Sequence, residues 1–589
     1  MSNPAWSYDA PLREMRFVLE HVLDAAAAWA ECPQHADLDL DTACAVLEQG
    51  ARFASERLLV LNAPGDLEGC HLDADGRVRT PAGFREAYRD FVAAGWPALA
   101  AETRWGGQGL PLLLDALLRE MLDACNHAWN MYPDLLHGAV QTLSAHGGDE
   151  LKARYLPRLV SGEWLAAMAL TEPQAGSDLG LLRTRAEPQP DGSLRVRGDK
   201  IFISGGEHDL ADNIVHLVLC RLPGAPDGSR GLSLALVPSV LPDGGRNAMR
   251  CIGLEHKMGI HGSATCAMRY EGATGWLVGE PGRGLAAMFV MMNSARLHVA
   301  LQGLGHAEMA AQNALRYANE RRQSRAPRQA RQPGEQADPI AMHPAIRHAL
   351  LGLQARVEAG RVIAARAALA LDLAQHHPRQ ATRDAQQALA ALLTPLLKSR
   401  LSALGFDGAS AALQVFGGFG YTRDCGIEQS LRDARVAMIY EGSNEIQAID
   451  LVQRKLPAED AAWRALLDEL RAEARACAAQ PELRDFAEAL GAHCDAAQAG
   501  VGALLARQDA EQRLALAQHA MDGLWGLLEA WAFAASARAA TRVRDADPAW
   551  ADARLLRMRY GLQWLLPGVL SHWERLRGAD LALPQLQPG

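Results

Sequence analysis

The sequence predicts a mostly α-helical protein with one β domain in its middle. Three observations carry that reading. Helical spacing of apolar residues runs through residues 1–165, breaks over 166–284, and returns over 285–460 and 461–589. The break is a set of short runs rich in strand formers, separated by turn signals. The chain has 589 residues of which 49% are apolar, enough for several cores.

In the first segment, "PLREMRFVLEHVLDAAAAWA" and "PLLLDALLREMLDACNHAW" place apolar residues at helical spacing with charges between. "GWPALAAETRWGGQGLP" reads as a loop because glycine and proline interrupt it. The β segment contains "SLRVRGDKIFIS" (193–204), "NIVHLVLCR" (213–221), "GLSLALVPS" (231–239) and "TCAMRYE" (265–271). "PGAPDGSR" and "LPDGGRN" are turn separators between them. Helical periodicity then resumes at "GLAAMFVMMNSARLHVALQGLGHAEMAAQNALRYANERR". "QSRAPRQARQPGEQADP" (323–339) has no large apolar residue and reads as a mobile surface loop; its arginines suit a phosphate, but a solvated loop accounts for them better. In the last segment Trp463, Leu466, Leu467 and Leu470 share one helix face. "MDGLWGLLEAWAFAASARAA" is apolar enough to touch a membrane surface, though a buried core helix explains it better. The terminal "LPQLQPG" is expected to fray. No internal repeat is visible.

Composition narrows the function classes. A net charge of −10 argues against a nucleic-acid partner, which calls for a basic face. Ten cysteines without a CxxC pair fit reduced thiols in a cytoplasmic protein better than a disulfide framework or a zinc site. The charged start, "MSNPAWSYDAPLREMRFVLEHVL", is unlike a secretory signal, and no run of about 18 uncharged apolar residues predicts a membrane span.

Three stretches could hold chemistry. "MALTEPQAGSDLG" (168–180) offers main-chain groups, the Thr171 and Ser177 hydroxyls and Gly176, which suit a polar heterocycle or a phosphate; an ordinary capped turn fits equally well. In "KIFISGGEHDLADNIV" (200–215) a period of two puts Phe202 and Ser204 on one strand face, an aromatic beside a hydroxyl, as a planar cofactor would need. Taken alone, a strand ending in a Gly-Gly turn is the better account. The third stretch, "LQVFGGFGYTRDCGIEQSLRDARVAMIYEGSNEIQ" (413–447), has a glycine turn and, about twenty residues on, Glu441 beside Gly442. "GGFG" alone is a weak phosphate signal. A carboxylate is costly to bury, and the adjacent glycine lets another molecule approach the main chain.

Together and in this order, "LTEPQAGSD", "KIFISGG", "ERRQSR", "QVFGGFGY" and "RDARVAMIYEGSNEIQ" resemble the motifs of the acyl-CoA dehydrogenase family over about residues 80–455. The resemblance extends to the larger bacterial subgroup that includes 3-methylmercaptopropionyl-CoA dehydrogenase, through "YDAPLREMRFVL", "SDLGLLRT", "GEHDLADNIVHLVLCR", "EHKMGIHGSATC" and the added C-terminal helices. Leu181 and Gln429 depart from the wider family, where a small residue and a Lys or Arg are usual, and agree with that subgroup. The implied fold is a helical domain, a β-barrel-like domain and a four-helix domain, followed by a helical C-terminal domain.

The same resemblance implies FAD and, position by position, its site. Met168, Leu170, Thr171, Gly176 and Ser177 would hold the flavin, with Phe202 and Ser204 flanking the isoalloxazine. Arg321 and His343 would reach FAD from the helical domain. Gln414, Val415, Phe416, Gly417 and Gly418 would approach the dinucleotide of a neighbouring subunit, and Ser443 and Glu445 its adenosine. Ser177, Arg296, Tyr440 and Gly442 would line the substrate site. Glu441 matches the catalytic base; some relatives carry the base just before the arginine at 296, where this chain has Ala295.

The implied reaction is α,β-dehydrogenation of a fatty acyl-CoA to the trans-2-enoyl-CoA. Glu441 takes the α-proton, its own N–H and a flavin ribityl hydroxyl hold the thioester oxygen, and hydride leaves for flavin N5. An electron-transfer flavoprotein would accept the electrons. A homodimer is expected, with the extra domain covering the surface that smaller members use to form a dimer of dimers; membrane contact is not expected. "NMYPDLLHGAVQTLSAHG" (130–147) is the expected pocket floor, with Gly138 and Ala139 leaving room and Met131 and Tyr132 blocking the tail. That favours a saturated medium to long acyl chain over a methylthio-acyl-CoA. Other readings are an acyl-CoA oxidase, a DNA-associated flavoprotein on this fold, which the acidic balance disfavours, and an inactive CoA-binding scaffold, which the intact Glu441 disfavours.

Overall fold

The computed structural model describes residues 6–327 and 334–578. The "LPQLQPG" terminus lies outside them, as do residues 328–333 of the arginine-rich loop. Two compact units emerge. A β unit holds residues 52–111 and 125–298; a helical unit holds residues up to 51, 112–124 and those from 299 onward.

The sheet of the β unit has seven strands: β1 (Leu165–Ala169), β2 (Arg185–Pro188), β3 (Leu194–Ser204), β4 (Ile214–Arg221), β5 (Leu232–Pro238), β6 (Met249–Leu254) and β7 (Thr265–Val278). Its order is β1-β4-β2-β3-β7-β5, with β6 paired to β7. Strand β5 pairs back onto β4, with Leu217 opposite Leu236, so five strands close into a ring. Closure explains the sequence patterns. "IVHLVLC" in β4 is buried throughout, an apolar run broken only by the buried His216, with both faces covered. Strand β3 starts with strict alternation, inward at Leu194 and Val196 and outward at Arg195 and Arg197.

Two long helices frame this unit in sequence, α1 (Leu112–His146) and α2 (Gly284–Glu320). Helix α1 is interrupted at Asn126, whose backbone is non-helical (φ −160°, ψ 83°). The Asn126 carboxamide oxygen accepts the N–H of Trp129 at 3.0 Å, so the second half of the helix begins with its own cap.

The helical unit contains α3 (Pro344–His376) and α4 (Gln380–Phe416), which pack lengthwise, and the short α5 (Asn444–Asp450). The C-terminal block adds α6 (Asp460–Ala478), α7 (Arg484–Ala506), α8 (Ala517–Val543), α9 (Pro548–Tyr560) and α10 (Leu570–Gly578). Helix α8 is the buried axis of that block: Leu524, Trp525, Leu527, Leu528, Trp531 and Phe533 are all inside. Glycines let its neighbours come close, since a Cβ at Gly523 would stand 2.9 Å from the Trp573 ring. Two helical stretches, Gly284–Glu320 and Gln380–Tyr421, are long and apolar enough by composition to cross a bilayer, where the sequence reading expected none. Most of each apolar window is buried within the chain.

Residues 6–51, grouped by sequence with the N-terminal helical segment, belong instead to the helical unit. Arg554 on α9 holds them. It is fully buried, its guanidinium pairs with Glu14 and Glu358, and it lies 4.4 Å from the centre of the Phe17 ring. Arg13 pairs with Asp547 and covers the Trp550 ring at 4.6 Å. The arginine-rich loop also differs from expectation. Its ends are anchored at the buried Asp338, whose carboxylate accepts the Ala326 N–H at 2.8 Å.

Candidate active site

In the β unit, the 168–180 stretch follows β1. Met168 is buried within the strand, Leu170 and Thr171 are half-buried, and Gly176 and Ser177 are exposed. A Cβ on Gly176 would meet nothing within 4 Å, so its main chain is open to a ligand. The stretch is far from a free loop. Glu172 turns inward, and its carboxylate accepts Lys200 Nζ at 2.9 Å, the N–H groups of Arg183 and Thr184 at 2.7 and 3.0 Å, and Gln174 Nε2 at 2.6 Å. Lys200 Nζ also donates to the Leu170 carbonyl at 2.8 Å, and Ile201 N–H donates to the Thr171 carbonyl at 3.0 Å. Burial opposes the charge on Glu172, yet the Lys200 ammonium and these donors hold its carboxyl down at about 2. The loop and the head of "KIFISGG" are thereby bolted together.

Just beyond Lys200 the strand breaks register: Lys200 pairs with Met268 and Ile203 with Cys266, leaving one extra residue on β3. Phe202 sits in this bulge at φ 58° with its ring 59% exposed, and Ser204 is half-buried. The alternation assumed from sequence does not run through this point. A left-handed, exposed phenylalanine is strained and poorly hydrated by itself. Beside an open glycine loop with free main-chain groups, it fits a flat aromatic ring system such as the isoalloxazine of FAD. Arg296 and Ala295, on α2, are both buried. The expected room at Gly138 is absent, because a Cβ there would stand 2.9 Å from Met291 Cγ and 3.2 Å from its Cα. Tyr132 is fixed by its hydroxyl, which donates to the Gly262 carbonyl at 3.0 Å and accepts Ala264 N–H at 2.8 Å.

In the helical unit the chain leaves a 3₁₀ turn at Met438 and reaches Glu441 at φ 55° and Gly442 at φ 84°, two left-handed residues in succession. Ser443 then caps α5, its hydroxyl facing the Ile446 N–H at 3.5 Å. The Tyr440 hydroxyl donates to the Gln302 carboxamide on α2. Asn444 is locked from three sides: its carbonyl oxygen accepts Lys398 Nζ at 3.2 Å and the Ser402 hydroxyl at 3.1 Å, and its amide donates to the Ser399 carbonyl at 3.0 Å. Gln447 donates to the carbonyls of Glu441 and Gly442. Glu445 points outward, its carboxyl lowered chiefly by the Ser443 hydroxyl.

A second group in this unit gathers Arg321, His343 and the glycine turn. The Arg321 guanidinium lies 5.6 Å from the Phe419 ring centre, and Ile340 N–H donates to the Arg321 carbonyl at 2.7 Å. His343 Nε2 lies 2.9 Å from the Gln323 carbonyl. Gln414, Gly417 and Gly418 are exposed, and both glycines have open space around them. Val415 and Phe416, expected at the cofactor, are buried; Phe416 stacks on Tyr317 at 4.4 Å. Only main-chain atoms of these two remain to reach a dinucleotide.

The sequence reading overlooked Glu172, Lys200, Asn444, Gln447 and Gln302. The first four lie within the quoted motifs, and Gln302 lies on the helix that carries Arg296. Opposite charges in "TEP" and "KIF" were the available signal for the first pair, but 28 residues of chain separate them.

In the β unit a closed barrel with an aromatic bulge suits a flavin, and in the helical unit a carboxylate on a strained glycine turn suits a base, the two requirements of a flavin-dependent dehydrogenase. Comparison with known sequences specifies which kind. The acyl-CoA dehydrogenase N-terminal domain profile matches residues 70–163, the middle domain profile 167–273 and the C-terminal domain profile 282–456. The chain belongs to the acyl-CoA dehydrogenase family. It is 44% identical to 3-methylmercaptopropionyl-CoA dehydrogenase of Ruegeria pomeroyi, over 76% of each chain. It is 34% identical to a broad-specificity linear acyl-CoA dehydrogenase of Mycobacterium tuberculosis, over 76% of this chain and 75% of that one. The fold matches that of an acyl-CoA dehydrogenase from Bacillus anthracis complexed with FAD, with a TM-score of 0.74 and 20% identity, over 94% of this chain and 91% of that one. The protein is thus an FAD-dependent oxidoreductase that dehydrogenates an acyl-CoA thioester.

Proposed function

We propose that Glu441 is the base of this dehydrogenase and removes the α-proton of a straight-chain acyl-CoA. One observation carries the assignment: Glu441 is held at a positive φ beside Gly442, a strained arrangement that persists at sites where a side chain must be aimed. Gly442 leaves room for the thioester, and the Glu441 N–H is a fixed donor for its oxygen. Position 295, used for the base by some relatives, holds an alanine and offers no substitute. FAD, when bound, supplies the hydride acceptor. Met168, Leu170, Thr171, Gly176, Ser177, Phe202, Ser204, Arg321 and His343 would hold it, together with main-chain atoms of Gln414–Gly418, and with Ser443 and Glu445 toward the adenosine. Ser177, Arg296, Tyr440 and Gly442 would contact substrate.

The physiological setting we infer is fatty acid β-oxidation in the cytoplasm, by a homodimer that passes electrons to an electron-transfer flavoprotein. Open glycines at 417 and 418 support an approach by a neighbouring subunit. For the acyl group, the close packing of Gly138 on Met291 supports the short end of the straight-chain range. The same packing, with the 44% identical relative, favours 3-methylmercaptopropionyl-CoA as a second reading. The test is Glu441→Gln, assayed against graded acyl-CoAs and the methylthio substrate with an artificial acceptor and an oxygen control. Loss of the base is expected to reduce kcat by about 10²–10⁴-fold with FAD retained. Turnover near the wild-type rate would remove Glu441 from the role. Reoxidation of the substrate-reduced flavin by oxygen as fast as by the artificial acceptor would favour an oxidase.

A further inference from the structure

Two left-handed residues in a row, one of them not glycine, do not hold themselves. A non-glycine residue at φ 55° is disfavoured by contact between its Cβ and the main chain, and it persists only where the surroundings over-determine it. One buried side chain grips this turn through its main chain. Gln447, six residues on and on the first turns of α5, donates from Nε2 to the Glu441 carbonyl at 3.1 Å and to the Gly442 carbonyl at 3.2 Å. Its side chain is 0% exposed. Its Oε1 is buried and has no hydrogen-bond partner among the described residues. A buried carboxamide oxygen left without a donor is unfavourable, so packing alone would be better served by an apolar residue of the same length. What the carboxamide provides here is its two N–H groups, and both go to the carbonyls of the turn.

Its own footing is rigid. Asn444, three residues earlier on the same helix, is tied to Lys398, Ser399 and Ser402 of α4, and all four are buried. Gln447 therefore acts as a fixed clamp, and the peptide units on either side of Gly442 are what it holds. Turning either unit would change the dihedral angles that define the turn and so swing the Glu441 carboxylate.

We infer that Gln447 is a positioning residue for the Glu441 base, fixing through two main-chain carbonyls the left-handed turn that aims its carboxylate. This rests on the reading of Glu441 as the base. The chain uses Gln447 for proton abstraction without placing it on substrate or cofactor.

The test compares Gln447→Met, of equal length with no donors, and Gln447→Glu, of equal shape, with Glu441→Gln alongside. Butyryl-CoA and 3-methylmercaptopropionyl-CoA are assayed in ordinary and α-deuterated forms. A misplacement near 1 Å reduces rate by about 10²-fold. Both Gln447 variants should therefore lose kcat by roughly 10- to 100-fold with KM within about threefold. Their α-deuterium effect should be larger than in wild type, with FAD content unchanged. A purely structural role would lower FAD content and yield while leaving the isotope effect alone, and that result overturns the inference. So does kcat within threefold of wild type in either folded variant. If Gln447→Met does not fold, Gln447→Glu gives the reading. An inactive Glu441→Gln beside normal Gln447 variants removes only the clamp, whereas an active Glu441→Gln removes the base assignment itself.

Discussion

Replacing Lys200 by methionine should loosen the β unit and its hold on FAD together. Lys200 is fully buried, and its ammonium sits 2.9 Å from Glu172 and 2.8 Å from the Leu170 carbonyl. Methionine matches the length and removes the charge. Glu172 is then a buried carboxylate without a counter-ion, a situation that typically costs about 3–5 kcal/mol. The Arg183 and Thr184 N–H groups and Gln174 still donate to it, which puts the loss near the lower end, about 3 kcal/mol. For a unit of this size that is roughly a 6–12 °C drop in the midpoint of thermal unfolding. A pH signature accompanies it. In the wild type the Glu172 carboxyl is held at about 2, below its ordinary value of 4.5. A depressed carboxyl contributes stability above the unfolded value and loses it as pH falls, here between 4.5 and 2. Without Lys200 the opposing effect of burial prevails, and this acid-side loss should shrink. The assay is thermal unfolding of FAD-free and FAD-loaded protein from pH 3 to 7, with FAD release measured in parallel. Adding Glu172→Gln should recover part of the loss, because a neutral pair needs no counter-ion. A Lys200→Met protein that melts within 2 °C of wild type and keeps its FAD, a margin set well inside the expected drop, would refute the reasoning.

Gly138→Ala should destabilise the β unit by about 1–3 kcal/mol, read by denaturant unfolding, because the added methyl would stand 2.9 Å from Met291 Cγ. Arg554→Met should free Glu14 and Phe17 of the N-terminal arm from α9, so that limited proteolysis cuts near residues 6–23 much faster than in wild type. Asp372 accepts the N–H groups of Leu112 and Leu113, yet burial pushes its carboxyl up to about 7. A raised carboxyl binds more protons when folded, so stability should fall as pH rises from about 4 to 7 and level off above. Asp372→Asn should flatten that slope in pH-dependent unfolding.

The broad plan was legible because burial leaves its period in the sequence. The run in β4 and the alternation in β3 announce the barrel, and the long apolar repeats of α3, α4 and α8 announce the helices. The candidate base stood out as Glu441 beside Gly442, a neighbouring pair that needs no long-range information. What was not legible depends on distance and on local backbone. The bulge at Phe202 adds one residue to a strand, and no propensity marks it, so the argument from alternation does not hold at Phe202 and Ser204. Val415 and Phe416 share a motif with exposed glycines but end inside the core. Gly138 read as open space because an isolated glycine does not reveal whether a ligand or a neighbouring helix fills the gap; here it is Met291. The Arg554 clamp joins residues 540 positions apart, beyond any pattern within a window.

That clamp bears on how the polypeptide is made. The β unit comprises residues 52–111 and 125–298, so all of it has been synthesised by about the midpoint of translation. The helical unit needs Arg554 against Glu14, and its first 51 residues must wait through almost the whole of synthesis for their partner. At about 5–20 residues per second that wait is on the order of half a minute to two minutes, with Phe17 and its apolar neighbours uncovered. Early residues of this protein are thus the ones most in need of a chaperone. A nonsense codon near the end and a deletion near the start would present to the cell as the same lesion.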